Sequence, residues 1–226
     1  RLGFFNAFHG EGNYDLRKVE GGLGPLGKLW SIVNPGVTIK LYPACGACLR
    51  ALDATQGLIR EHAIKVDDVA KLELDLHPAL LDSMRFVKPT VGFQGKFSFD
   101  YVLAAMLLDG RVNLESFSDE NCNRPQMRAA LEKIKIIPHP EWGNDEQSRR
   151  QSPITITMKD GRQFKNLVNK VKGSPGDPLT REELLAKYRY AAGRALKGDK
   201  LEKSIEALEG LEKAAKVGEC LSSLTA

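Results

Sequence analysis

The spacing of apolar residues switches between two periods along this chain, and that switching most restricts its fold. Ile154, Ile156 and Met158 alternate with Thr155 and Thr157, Lys159-Asp160-Gly161-Arg162 turns the chain, and Phe164 to Val171 return. Alternation interrupted by Asp-Gly predicts a β-hairpin. Lys71-Leu72-Glu73-Leu74-Asp75-Leu76-His77 alternates in the same way and predicts a half-buried strand closed by Pro78. Ile134 to Ile137 predict another, broken by Pro138 and Pro140. Elsewhere the period is helical. Leu49, Leu52, Leu58 and Ile59 share one face of a helix ending at His62, and Tyr101, Val102, Ala105 and Leu108 share a face of another. Lys96-Phe97-Ser98 opens that second helix and Asp109-Gly110 ends it; Leu114 to Phe117 read as a turn, Ser118-Asp119-Glu120 as a helix start, and Pro125 to Leu131 as a helix. Asn144 to Gln151 are polar and read as loop. A strand, then helices, then more strands predict an α+β unit with a mostly antiparallel sheet.

The flanks differ in character. Leu2 to Phe8 read as the end of a helix stopped by Gly10 and Gly12, and Asp15 to Val19 as a short helix. Gly21, Gly22, Gly24 and Gly27 make a loop, beyond which Leu29, Trp30 and Ile32 are expected to be buried. Those glycines follow no strand, so they do not form a dinucleotide fingerprint. At the other end, Lys172-Gly173-Ser174-Pro175-Gly176-Asp177-Pro178 reads as a linker or hinge. Thr180 with Glu183 then forms a capping box for a helix to about Leu196. After Gly198-Asp199, residues Lys200 to Leu224 predict a second helical stretch with Leu201, Ile205, Leu208 and Leu211 as its seam.

With 226 residues and 42% hydrophobic content, the chain is large enough for a proper core. Its net charge of +4 is spread along the sequence, with no basic stripe interleaved with aromatics. That speaks against a nucleic-acid partner and suits a small polyanion. No stretch has the length of a membrane span, and four unevenly spaced cysteines do not form a disulfide framework, so the expected setting is a reducing one with no membrane partner. The chain opens on Arg1 and enters at once on an apolar patch, as the middle of a longer chain would.

Chemistry concentrates in Lys40-Leu41-Tyr42-Pro43-Ala44-Cys45-Gly46-Ala47-Cys48. A strand-like run, Val37-Thr38-Ile39, precedes it and a helix follows, so Lys40 is expected at a strand-to-helix junction able to hold a carboxylate. Cys45 and Cys48 are open to three readings: a redox pair at a helix start, metal ligands, or two small buried thiols. A zinc site needs further ligands, and no second such pair or closely spaced histidine pair exists. The four imidazoles are His9, His62, His77 and His139; His62 and His77 lie at element ends and are expected to be exposed.

Four stretches together resemble the MmgE/PrpD family, which includes 2-methylcitrate dehydratase, cis-aconitate decarboxylase and iminodisuccinate epimerase. They are Pro35-Gly36 to Cys45, Gly95-Lys96-Phe97-Ser98 with the helix ending Leu108-Asp109-Gly110-Arg111-Val112, Thr157 to Arg162, and Lys172 to Pro178. The resemblance implies an α+β lid inserted into an all-α helical domain: residues 1–38 would end the first helical part, 39–172 form the lid, and 173–226 return to the helical domain. Much of the family's acid/base apparatus lies in an N-terminal part with no counterpart here. The resemblance implies a lyase acting on a small polycarboxylate in propionate metabolism or a related route, as a homodimer, in the cytoplasm or, in a eukaryote, the mitochondrial matrix. It implies no cofactor and no metal. Lys40 matches the lysine that neutralises a substrate carboxylate. Cys45 stands where some members place a proton-transferring histidine, which would make Lys40 and Cys45 the catalytic pair. Tyr42, Lys96 and Ser98 fall in segments implied to contact substrate. Leu49 occupies a position where the family often has histidine, a departure. The alternative is a non-catalytic remnant that keeps the lid fold for assembly.

Overall fold

The structure, a computed structural model, describes residues 4–10, 12–15, 17 and 30–225. Two compact units divide the chain, residues 1–38 and 39–226. In the first, helix α1 (Phe4–His9) ends at Gly10, whose φ of +80° only glycine adopts freely. The expected helix at Asp15 to Val19 and the loop at Gly21 to Gly27 lie largely outside the described residues. No described residue of this unit is buried, and Trp30 and Ile32 are 61% and 69% exposed, contrary to expectation. A segment this short cannot enclose a core of its own.

In the second unit the predicted periods become elements. A 3-10 turn, Gly46–Cys48, leads into α2 (Leu49–His62), which buries Leu49, Ala51, Leu52, Ala54, Thr55 and Leu58. Ala63 ends it in the left-handed region, φ +49°. Strand β1 (Val69–Leu76) buries Leu72, Leu74 and Leu76 completely. After a short helix α3 (Gly92–Gly95) comes α4 (Phe99–Asp109), buried from Phe99 to Leu107. A helix apolar on all sides belongs at the centre of a core, and α4 packs there against α2 and the sheet. Helices α5 (Asp119–Asn123) and α6 (Pro125–Leu131) follow, with Ser118 capping the first.

Strand β2 (Ile134–Pro138) then pairs with β1 in parallel, Leu72 opposite Ile134 and Leu76 opposite Pro138. Helix α7 (Glu146–Arg150) occupies a stretch expected to be loop; Asp145 caps it by accepting from the Ser148 amide at 3.0 Å. Strands β3 (Ile154–Met158) and β4 (Gln163–Asn166) form the hairpin, and β3 lies antiparallel to β1. The sheet order is β2-β1-β3-β4. The α+β class holds, and two of three pairings are antiparallel. The parallel edge arises because α4, α5 and α6 carry the chain across the sheet between β1 and β2, as a parallel pairing requires.

The run Val37-Thr38-Ile39 forms no strand; its residues are exposed, and the Ile39 amide donates to the Gly173 carbonyl at 2.9 Å. Nor is residues 172–178 a free linker. The Lys172 amide donates to Asp53 at 2.8 Å, the Gly173 amide to the Asp177 carbonyl at 2.7 Å, and Lys172 Nζ lies 3.2 Å from Glu183. Helix α8 (Arg181–Ala192) starts on the capping box, with Thr180 accepting from the Glu183 amide and Glu183 accepting from the Thr180 amide. Helix α9 (Asp199–Glu209) stops at Gly210, and α10 (Val217–Ser222) follows, so the second stretch is broken; Ile205 is buried, while Leu208 and Leu211 are exposed. Ion pairs Arg181–Glu209 and Arg189–Glu202 join α9 to α8.

Candidate active site

Two of the family-like stretches meet through one backbone hydrogen bond. The Cys45 amide donates to the Lys96 carbonyl at 3.0 Å, which sets the loop before α2 against the loop before α4. A cavity of about 310 Å³ opens there, lined by Lys40, Tyr42, Pro43, Ala44, Cys45, Lys96, Phe97 and Lys187. Three of these residues are lysines, and none carries a carboxylate. Lys40 is exposed as a residue, yet its Nζ donates to the Ala44 carbonyl at 3.2 Å and so folds back over the loop. Lys96 is half-buried, with its ammonium 5.7 Å from the centre of the Phe117 ring. Lys187 comes from α8 and is half-buried. Among the described residues none of the three has a carboxylate within ion-pair distance. Cations gathered without counter-charges repel one another and favour a bound anion.

Tyr42 forms the cavity's inner wall. It is buried, and its hydroxyl donates to Asp53 at 2.9 Å. Burial, reinforced by the Asp53 charge, pushes the phenol well above the ordinary tyrosine range, so it stays protonated. Asp53 also accepts from the Lys172 amide; burial raises its carboxyl, and the two hydrogen bonds oppose that rise. Tyr42 is therefore committed to tying the Lys40 loop, α2 and the turn at 172–178 together. Cys45 is half-buried at the cavity edge, whereas Cys48 is fully buried, with its thiol donating to the Cys45 carbonyl at 3.0 Å. Burial pushes the Cys48 thiol far up, opposite to what a redox pair needs. Of the three readings, the buried thiol describes Cys48. Among the described residues no cluster of histidine, cysteine and carboxylate side chains could hold a metal.

Ser98 does not line the cavity. It is fully buried, and its hydroxyl caps α4 by accepting from the Tyr101 amide at 3.2 Å. His77 is buried, not exposed, because its Nδ1 accepts from the Ala79 amide at 3.1 Å and so caps the turn after β1. His62 stacks on Phe164, and His139 bridges Asp75 and Glu141, each at 2.6 Å. No imidazole among the described residues lines the cavity. The expected strand-to-helix junction is a loop-to-helix junction, so Lys40 owes its place to the Ile39–Gly173 and Cys45–Lys96 hydrogen bonds rather than to a sheet. Lys187 was not legible in the sequence, since nothing in α8 distinguishes it from neighbouring cations before the helix is docked.

A second cavity of about 670 Å³ lies beyond Tyr42, Pro43 and Lys187, which line both. Its wall mixes Arg60, Arg111 and Lys170 with Asp53, Asp177 and Glu183, and the latter two hold Lys172. The smaller cavity has no carboxylate-bearing residue in its lining.

The chain matches the MmgE/PrpD C-terminal domain over residues 42–213. It is 30% identical to the cis-aconitate decarboxylase of Mus musculus over 191 residues, covering 81% of this chain and 38% of that protein. It is 29% identical to the enzyme of Homo sapiens over 187 residues, with the same coverage of 81% and 38%. A cis-aconitate decarboxylase of Aspergillus terreus is 25% identical over 233 residues, 98% of this chain and 47% of that protein. The chain thus spans less than half the length of these relatives. With the match covering most of the second unit, the chain belongs to the MmgE/PrpD family.

Proposed function

We propose that residues 39–226 carry the carboxylate-binding wall of a lyase that acts on a small polycarboxylate. The observation that carries this reading is the cavity of about 310 Å³ lined by Lys40, Lys96 and Lys187 and by no carboxylate-bearing residue. Dehydration removes a proton beside a carboxylate, and decarboxylation breaks a carbon–carbon bond to release carbon dioxide. Both leave an electron pair on carbon that spreads onto a neighbouring carboxylate. A fixed cation stabilises that charge as it develops. Lys40 supplies it, and Lys96 orients a second carboxylate. The names of the relatives favour cis-aconitate, a tricarboxylate, over 2-methylcitrate.

Proton transfer is the other requirement. Cys45 lines the cavity with an exchangeable proton not committed to another side chain, whereas the Tyr42 hydroxyl is held by Asp53. We assign Cys45 to proton transfer, assisted by groups outside this unit; the homodimer implied by the family is one source of them.

The test is turnover of cis-aconitate by the chain alone and with an N-terminal segment of a relative supplied in trans, following carbon dioxide release and loss of the alkene. Lys40→Ala lowers the rate on the order of a hundredfold or more and leaves the unfolding midpoint unchanged. Rate and stability falling together would overturn the role of Lys40. Turnover in neither arrangement would overturn the lyase reading.

A further inference from the structure

We propose that Lys187 is the specificity-determining cation of this cavity: with Lys40 and Lys96 it selects acids with three carboxylates over acids with two. The inference deepens the function proposed above and rests on it for the anionic nature of the ligand.

Three elements contribute one lysine each. Lys40 stands on the loop before α2, Lys96 on the loop before α4, and Lys187 on α8. When a dicarboxylate fills the cavity, one ammonium stays unpaired beside two others. A third carboxylate removes that repulsion and adds a charge-assisted hydrogen bond.

Lys187 differs from the other cations of its helix. Arg181 is paired with Glu209, Arg189 with Glu202, and Arg194, just beyond the helix, with Glu115. Lys187 has no carboxylate partner among the described residues. Glu183, Ala186, Lys187, Tyr190 and Ala191 line the larger cavity at the three- and four-residue spacing of one helical face, and of these only Lys187 also lines the smaller one. That face is half-open: Ala186, Tyr190 and Ala191 are exposed, and Glu183 and Lys187 are half-buried. It is fixed one turn to each side of Lys187. Glu183 binds Lys172 at 3.2 Å, and the Tyr190 hydroxyl accepts from the Leu114 amide at 3.0 Å and donates to Glu115. With the helix anchored on both sides, the backbone at Lys187 is already placed, and only side-chain freedom is lost when the ammonium binds.

The experiment is calorimetric titration of the chain with tricarballylate and with glutarate, which is tricarballylate without its central carboxylate. The unaltered chain prefers tricarballylate by on the order of tenfold or more. Lys187→Gln abolishes the preference while its glutarate affinity stays within about twofold, and Lys187→Arg restores it. A preference unchanged in Lys187→Gln, or an equal loss for both acids, overturns the assignment. If Lys187→Gln does not fold, acetylation of lysines in the unaltered chain decides: tricarballylate slows modification of Lys187 and glutarate does not, and equal protection overturns the assignment. A chain that binds neither acid overturns the anion site and this inference together. Absent turnover with the tricarballylate preference intact overturns the lyase reading alone.

Discussion

Replacing Gly173 by alanine would place the new Cβ 2.1 Å from the carbonyl oxygen of Ile39. The backbone at this position has φ +86°, which costs an L side chain about 1 kcal/mol before any contact is considered. The contact itself forces the two strands of chain apart by about 1 Å, given the separations that real carbon–oxygen contacts keep. Such a shift breaks the Ile39 amide to Gly173 carbonyl bond of 2.9 Å and loosens the Gly173 amide to Asp177 carbonyl bond of 2.7 Å. Each is worth about 1 kcal/mol net. The unrelaxed sum is about 3 kcal/mol; because residues 36–40 are irregular and mostly exposed, they yield, and the expected loss is about 2 kcal/mol. Urea unfolding followed by far-ultraviolet circular dichroism measures it. The same chain segment carries Lys40, so tricarballylate binding weakens as well. Gly218→Ala is the control: it sits in α10 with nothing within 4 Å of its Cβ position, and it stabilises by about 0.5 kcal/mol through helix propensity. A Gly173→Ala protein within about 0.5 kcal/mol of the parent, with the Ile39 amide equally protected from exchange, would refute the argument that this close backbone approach positions the Lys40 loop.

Cys48, buried and with its thiol pushed up, resists iodoacetamide near neutral pH, while half-buried Cys45 is modified; equal rates in the native chain would contradict the geometry. Hydrogen bonds first to Asp75 and then to Glu141 raise His139 above its ordinary 6.5. A raised folded value means that the bridge contributes fully below the unfolded histidine value and loses its contribution as pH rises through the folded one. The parent therefore loses urea stability relative to His139→Gln as pH rises from the unfolded histidine value through the higher folded one, and parallel pH curves would exclude the bridge. Tyr101 is fully buried and donates to the Ser116 carbonyl. Tyr101→Phe strands that carbonyl and lowers thermal stability by about 1–2 kcal/mol; an unshifted melting curve would show the bond to be dispensable.

Periodicity, caps and turn residues located most elements because those signals act within a few residues of chain. Leu72, Leu74 and Leu76 alternate, so β1 was readable, and Thr180 with Glu183 fixed the start of α8. The helical spacing of Tyr101, Val102, Ala105 and Leu108 marked α4, and Gly110, with φ +66°, its end, whereas its burial on all sides shows only in the structure. Helix α7 escaped notice because a five-residue, polar helix has no apolar face to recur. The burial of His77 escaped notice because it depends on an amide two residues away that only the turn presents.

The chemistry divides in the same way. Lys40, Tyr42, Cys45 and Lys96 were singled out by residue type and by resemblance, and all four line one cavity. Ser98 was singled out with them and instead caps a helix. That the Lys40 and Lys96 loops touch follows from a hydrogen bond between residues far apart in the chain, Cys45 to Lys96. That Lys187 joins them follows from the docking of α8 through Glu183 and Tyr190. Local order is written in neighbouring residues. The meeting of three lysines at one cavity is not, because each is placed by contacts between distant residues that exist only once the sheet, α2, α4 and α8 have packed together.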